Sequence, residues 1–109
     1  MACARVLSFR ILPDRENDVT ECTTRLDGLQ RQAEGYSCRV SFRSAEDPRH
    51  IMILTIWDER RHADAFALQA ATVACMARIK AVSDEIPIAA GEYDVTGSDP
   101  EDLIASHRH

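Results

Sequence analysis

The segment Ile51-Met52-Ile53-Leu54-Thr55-Ile56-Trp57-Asp58-Glu59 decides the fold of this chain, because an extended pattern changes to a helical one at its end. Its almost continuous apolar residues predict a central β-strand that is covered on both faces. An acidic helix start and a long alanine-rich helix follow it. Trp57, the only tryptophan, is therefore expected where a sheet meets the helix that covers it, and a pocket can form there.

Patterns on either side of this segment predict four strands and two helical regions. The strands are predicted at residues 4–12, 36–43, 50–57 and 88–95, and the helical regions at 15–34 and 59–82, with a candidate kink at 70–72. The order strand, helix, strand, strand, helix, strand is the ferredoxin-like βαββαβ plan of an α+β domain. Right-handed crossovers then place both helices on one face of a four-stranded antiparallel sheet.

Apolar stripes predict which side of each element is buried. The stripes are Val19, Cys22, Leu26, Leu29 and Ala33 in the first helix, Ala63, Phe66, Ala70, Val73 and Ala77 in the second helical region, and Tyr36, Cys38, Val40 and Phe42 on one face of the strand at 36–43. The other face of that strand holds Ser37, Arg39, Ser41 and Arg43. The second face of the whole sheet is left bare, which favours a homodimer formed across a two-fold axis.

Length and charge limit the class of protein. The 109 residues are enough for one domain, predicted at 1–96, followed by a polar C-terminal tail at 97–109. The formal net charge of −5 disfavours nucleic acid and anionic membrane as partners. No apolar run is long enough to cross a bilayer, and the start lacks a basic segment followed by an apolar one. We therefore expect a cytoplasmic protein.

The four cysteines, Cys3, Cys22, Cys38 and Cys75, form no Cys-x-x-Cys pair, and none lies near a histidine in sequence. In a cytoplasmic chain this scattered pattern is typical of free, buried thiols. We therefore expect no disulfide framework and no metal site.

Several short motifs, in order, resemble the antibiotic biosynthesis monooxygenase (ABM) family, whose members are dimeric α/β barrels. They cover about residues 4–95 and comprise Pro13-Asp14 after the first strand, Glu34-Gly35-Tyr36 before the second, Asp47-Pro48 in the hairpin, Ile56-Trp57-Asp58-Glu59 and Tyr93. In the first two motifs this chain departs from the family, with Asp in place of Gly and Glu in place of Pro. The resemblance implies a ferredoxin-like homodimer.

The same resemblance implies one of two chemistries. Some members resemble cofactor-free oxygenases that convert polycyclic phenols to quinones, and others degrade haem. Haem degraders carry an Asn in the first strand and a helical His about nine or ten residues after the Trp. Here Asn17, the only asparagine, lies after the first strand, Phe66-Ala67 stand at the place of the His, and His62 comes a turn too early. We therefore expect no cofactor and no haem degradation.

Three aromatic residues are candidates for a site. Trp57 and Phe66, which lies two turns into the following helix, are predicted to line a pocket and contact a small aromatic substrate. Tyr36 is a candidate hydrogen-bond donor to a reacting group. Each also has a purely structural interpretation, because a large ring at a sheet–helix junction is a common core residue.

Three polar residues complete the candidate set. His62 and His50 are the histidines outside the tail, and an imidazole is the usual general base near neutral pH. We assign His62 a catalytic and His50 a substrate-binding role. Arg39 is a candidate catalytic group because a guanidinium can stabilise a phenolate or an oxyanion. Exposure to solvent is the alternative for the two histidines, and a solvated strand face or polar contacts across a dimer interface are the alternatives for Arg39.

The predicted function is that of a small cofactor-independent monooxygenase acting on an aromatic or polyketide-like substrate. A ligand-binding or structural dimer without catalysis is the alternative, as is an isomerase or cyclase on the same scaffold. One structural feature separates an enzyme from a purely structural protein. It is a roomy pocket beside Trp57 with at least two convergent polar groups, rather than a core filled by Phe66 and alanine methyls.

Overall fold

The computed structural model of the chain describes residues 2–84 and 89–97. The elements are β1 (Cys3–Arg10), α1 (Glu16–Arg31), β2 (Tyr36–Arg43), β3 (His50–Trp57), α2 (Arg60–Ala67), α3 (Ala70–Ala81) and β4 (Ala89–Asp94). The predicted order of elements is confirmed, and the second helical region is divided into two helices. The predicted beginning of the last strand at Ile88, and the predicted tail beyond Gly97, lie outside the described residues.

Within the described residues, the four strands form one antiparallel sheet in the order β2-β3-β1-β4. This is the ferredoxin-like order expected from the sequence. The two edge strands, β2 and β4, do not pair with each other, so the sheet of a single chain stays open. Among the described residues, no helix is long and apolar enough to cross a membrane.

The hydrophobic core lies between the sheet and the helices, on one face only. Phe9, Ile53 and Trp57 contribute from the strands, and Leu26 and Ile79 from the helices. The stripe predicted for α1 is confirmed at Val19, Cys22 and Leu26, which are buried. The four cysteines are buried and have free thiols. The core therefore follows the 3.6-residue period of α1 and the two-residue period of the strands.

The stripe predicted for the second helical region is correct in α2 and wrong in α3. Ala63 and Phe66 are buried in α2, but the predicted Val73 is 54% exposed. The buried residues of α3 are Thr72, Cys75 and Ile79. The cause is the extended backbone at Gln69, which ends one helix before the next begins and so shifts the helical phase.

The buried face predicted for β2 is confirmed at Cys38, which is buried, and is wrong at Phe42. A β-bulge between Tyr36 and Cys38 turns Tyr36 towards the helices, and leaves Val40 and Phe42 on the open face of the sheet. Phe42 is 48% exposed there. Because side chains alternate along a strand, Arg39 points to the helix side instead. Strand β3 was predicted to be covered on both faces, but within a single chain the helices cover only one of them.

The loop before β2 depends on Gly35, which has a positive φ of 81°. A Cβ atom at this position would lie 2.1 Å from Nδ1 of His62 in α2. The carbonyl oxygen of Gly35 also accepts a hydrogen bond of 2.7 Å from the amide of Asp58. Gly35 therefore lets the loop approach the start of α2 more closely than any other residue type would.

We expect Gly35→Ala to destabilise the protein by about 1–3 kcal/mol, since it adds backbone strain to a steric clash with His62. Gly28→Ala is the matched control, because Gly28 lies in α1 with nothing within 4 Å of a Cβ atom. That exchange should stabilise the helix by about 0.5–1 kcal/mol. Urea denaturation of the two variants measures both effects. Equal effects of the two exchanges would contradict the role given to Gly35.

We also expect a homodimer that covers the open face of the sheet with a total interface above about 1,200 Å². Phe42, Met52 and Tyr93 are exposed apolar residues on that face. Light scattering should give the mass of two chains, and Phe42→Glu should shift it towards one. Leu68→Glu is the control, because Leu68 is 82% exposed on the helix side. A single-chain mass for the native protein at micromolar concentration would refute the prediction.

Candidate functional site

A cavity of about 220 Å³ lies beside Trp57, between the sheet and the helices. Most of its lining is apolar, and includes Leu7 and Ile53 from the sheet and Phe66 and Met76 from the helices. Ala67 and Ala90, which also line it, are exposed, so the cavity reaches solvent between α2 and β4. The space beside Trp57 is therefore a pocket and is not filled by alanine methyls.

The indole of Trp57 forms one wall of the cavity and is 1% exposed. Its Nε1 donates a hydrogen bond of 3.0 Å to Oγ1 of Thr55, two residues earlier on the same strand face. The ring of Phe66 is tilted by 37° against it at a centroid distance of 5.2 Å. Because these contacts satisfy the indole N–H and support the ring, Trp57 presents a rigid aromatic surface to the cavity.

Two buried polar side chains also line the cavity, Gln30 from α1 and Thr72 from α3. They are only 5% and 4% exposed. Neither Oε1 of Gln30 nor Oγ1 of Thr72 has a hydrogen-bond partner among the described residues. Buried polar atoms are nearly always hydrogen-bonded in folded proteins. Both residues line the cavity, but these two oxygen atoms are themselves closed off from it.

Arg5 is a charged residue of the lining. Its Nη2 atom lies 2.9 Å from Oε1 of Glu92 on β4 and also contacts Asp64 on α2. Glu92 is shared with Arg60, whose Nη2 lies 2.9 Å from Oε2. Burial by itself would lower the pKa of Arg5, but the hydrogen bonds that its guanidinium donates to the two carboxylates outweigh burial and raise that pKa. Arg5 therefore keeps its positive charge beside the cavity.

Of the six site residues named from the sequence, the structure brings Trp57 and Phe66 to the cavity, and their role in binding a substrate stays a prediction. Tyr36 lies behind the wall, since the edge of its ring packs against Trp57 at a centroid distance of 5.8 Å. Burial raises the pKa of the Tyr36 phenol, which therefore stays protonated at neutral pH. His62 packs on Gly35, and its Nε2 lies 3.7 Å from Oε1 of Glu34.

Arg39 and His50 lie away from the cavity. Arg39 is on the helix side, but it faces α1, where its Nη1 lies 3.2 Å from Oδ1 of Asp27 and donates to the carbonyl oxygen of Thr23. His50 is on the open face of the sheet, where Nε2 lies 2.7 Å from Oγ of Ser8. Neither side chain lines the cavity beside Trp57, because β2 is an edge strand and His50 is at the far end of β3 from Trp57.

The sequence predictions missed the polar residues that do line the cavity. Arg5 alternates with Leu7 and Phe9, so the period of β1 already placed it on the core face. Gln30 follows Leu26 by four residues and so continues the buried stripe of α1. For both Arg5 and Gln30, the sequence signal was a polar residue on a face that is otherwise apolar. Thr72 had no such sign, because its burial depends on the break before α3.

Among residues 2–84 and 89–97, no group of three or more His, Cys, Asp or Glu side chains could hold a metal ion. The lining of the cavity in this part of the chain likewise includes no His, Asp or Glu side chain. Its polar chemistry rests on the guanidinium of Arg5, the amide of Gln30 and the hydroxyls of Thr55 and Thr72. The site can therefore bind a mostly apolar molecule, donate hydrogen bonds and stabilise negative charge.

The sequence matches no protein-family model and no curated protein, but the fold matches solved structures. A conserved protein from Methanosarcina mazei Go1 has a TM-score of 0.82 at 14% identity, with 88% of this chain and 94% of that one covered. The cofactor-independent oxygenase SnoaB from Streptomyces nogalater gives 0.79 at 11%, covering 91% and 97%. A protein described as an antibiotic biosynthesis monooxygenase gives 0.77 at 17%, covering 87% and 99%.

These structures are similar to the present chain in fold over nearly its full described length. The protein therefore has the fold of the antibiotic biosynthesis monooxygenase domain, as the sequence motifs predicted. At such low identity the likeness extends to the fold alone, and the chemistry has to be argued from the site.

Glu92 makes the charge network beside the cavity sensitive to acid. Hydrogen bonds from Arg5 hold the pKa of Glu92 below its ordinary value of 4.5. A depressed pKa in the folded state means that the network stabilises the protein above the unfolded-state pKa, and that this stability is lost as the pH falls through the folded-state pKa.

We therefore expect Glu92→Gln to lower the melting temperature at pH 7, and the difference from the native protein to narrow below about pH 4.5. Thermal denaturation over a series of pH values measures it. Glu46→Gln, in the exposed turn between β2 and β3, is the control and should change little. A difference between native and Glu92→Gln protein that is the same at every pH would contradict the assignment.

Proposed function

We propose that this protein is a cofactor-independent monooxygenase that acts on a small hydroxylated aromatic molecule bound in the cavity beside Trp57. The observation that carries the proposal is the combination in one cavity of a rigid aromatic wall, a charged guanidinium and buried polar groups. A mostly apolar pocket with a few convergent polar groups is typical of a small-molecule site. The fold shared with SnoaB, a cofactor-independent oxygenase, supports the reaction class.

The size of the cavity sets the size of the substrate. Ligand pockets typically measure about 300–1,000 Å³, and an apolar cavity of about 150 Å³ holds benzene. The cavity beside Trp57, at about 220 Å³, lies between these values. It therefore suits one or two fused rings better than a polycyclic substrate.

The proposed chemistry relies on the substrate to activate oxygen. A phenolate gives one electron to O₂, the two radicals combine at a ring carbon, and loss of water leaves a quinone. One oxygen atom of O₂ becomes a carbonyl and the other becomes water, with all four electrons supplied by the substrate. The protein then has to favour the phenolate and exclude bulk water.

Arg5 and Trp57 are the residues to which we assign these tasks. The guanidinium of Arg5 favours the ionised form of a phenol bound beside it, so the proton can leave to water without a protein base. Trp57 and Phe66 hold the ring by stacking and exclude solvent around it. The carboxylates of Glu92 and Asp64 hold the guanidinium in place.

A second candidate is a ligand-binding protein without catalysis. The observation in its favour is that the charge of Arg5 is already paired with Glu92 and Asp64, which weakens its action on a bound phenol. Both candidates predict that the cavity binds an aromatic molecule. They differ in whether oxygen is consumed.

An oxygen electrode and calorimetry together test the proposal, with 2-naphthol as the first probe. We expect binding, oxygen uptake and formation of a naphthoquinone. Trp57→Phe should weaken binding by about 1 kcal/mol, roughly fivefold, because one large aromatic contact is reduced. Val73→Ala, at an exposed position of α3 that does not line the cavity, is the control and should bind as the native protein does.

Binding without oxygen uptake across a series of naphthols would favour the ligand-binding protein over the oxygenase. Unchanged binding in Trp57→Phe would place the site elsewhere in the molecule and overturn the assignment of the cavity.

A further inference from the structure

Two rows of side chains face each other between α2 and β4, on the side where the cavity reaches solvent. The helix contributes residues three and four apart, which lie on one face of it: Arg60, Asp64 and Ala67. The strand contributes Ala90 and Glu92, two residues apart on one face. Ala90 is paired in register with Leu7, a cavity-lining residue of β1, so this row points to the helices. These five residues of α2 and β4 form the α2–β4 seam.

Charged side chains close one end of the seam. Nη2 of Arg60 lies 2.9 Å from Oε2 of Glu92, so an ion pair joins the helix directly to the strand. The guanidinium of Arg5 contacts Asp64 of α2 and lies 2.9 Å from Oε1 of Glu92, which adds a second connection from β1. A molecule that passed between α2 and β4 at this end would have to break these ion pairs.

The other end of the seam holds only methyl groups. Ala67 is the last residue of α2, and Ala90 lies near the start of β4. Both residues line the cavity and both are exposed, whereas Trp57 on its inner wall is 1% exposed. A molecule that reaches Trp57 from the open side of the cavity therefore passes between these two small side chains.

We propose that Ala67 and Ala90 form the entrance of the cavity and are specificity-determining residues, because their size limits which molecules reach Trp57. The ion pairs of Glu92 hold α2 against β4, so the two side chains set the width of the entrance. This inference rests on the cavity of the proposed function. It depends neither on the reaction nor on the identity of the substrate.

The fluorescence of Trp57 reports directly on passage through the entrance. Trp57 is the only tryptophan of the chain, and its ring forms one wall of the cavity. Because protein interiors are close-packed, a quencher in solution reaches such a buried ring efficiently only through an open path. Acrylamide, a small uncharged quencher, therefore tests the entrance without any substrate.

The test is a Stern–Volmer titration with acrylamide, corrected for the fluorescence lifetime of each protein. We expect acrylamide to quench Trp57 in the native protein. Ala67→Leu and Ala90→Leu narrow the entrance from the helix and from the strand, so each should remove most of this quenching. Ala65→Leu is the matched control, because Ala65 lies in the same helix, is exposed and does not line the cavity. It should be quenched as the native protein is.

A wider entrance tests the size limit from the opposite direction. Succinimide is also uncharged but bulkier than acrylamide, so it should quench the native protein less, relative to its quenching of the unfolded chain. Ala67→Gly removes one methyl group and should raise quenching by succinimide more than quenching by acrylamide. An equal rise for both quenchers would mean that the helix end has loosened, and would refute the size limit.

The outcomes for the entrance and for the proposed function are separate. An unquenched native protein, native quenching in both narrowed variants, or an equal loss in Ala65→Leu would overturn the entrance. The cavity would then still be tested by the binding of 2-naphthol. Loss of quenching in the two narrowed variants, together with no binding of 2-naphthol to the native protein, would refute the proposed function and support the entrance.

Discussion

The structure depends on the burial of Trp57 where β3 ends and α2 begins. The ring is 1% exposed, and its N–H is satisfied by Thr55 on the same strand. The ring packs between Tyr36 of β2, at a centroid distance of 5.8 Å, and Phe66 of α2, at 5.2 Å, so it joins the sheet to the helix. Next to it, α2 offers small residues such as Ala63 and Ala67. The cavity is lined by the ring together with these small side chains.

The two faces of the sheet differ in what covers them. The helix side holds the core and the cavity, and the other side presents exposed apolar residues such as Phe42 and Met52. The bulge at the start of β2 sets which side chains of this strand face the helices. It places Tyr36 behind Trp57 and turns Arg39 towards Asp27 of α1. A small domain with one covered face has reason to associate through the other.

The polar groups of the cavity come from positions that an apolar pattern would normally occupy. Arg5 lies on the core face of β1 and forms ion pairs with Glu92 and Asp64, which stabilise its positive charge. Gln30 and Thr72 have no such compensation within the described residues. A protein that only needed a stable core would gain from apolar side chains at both positions.

The sequence by itself determined the order of elements, the ferredoxin-like fold and the place of Trp57, because periodicity and turn residues act over short stretches of chain. The tertiary structure alone decided which polar residues meet at the cavity. The chemistry of His62, Arg39 and His50 makes them candidates from the sequence. The close loop at Gly35, the edge position of β2 and the far end of β3 hold them away from the cavity. Thr72 is buried only because the helix breaks at Gln69. Packing brings together side chains that are distant in sequence, and local sequence patterns carry no information on which of these side chains are close in space.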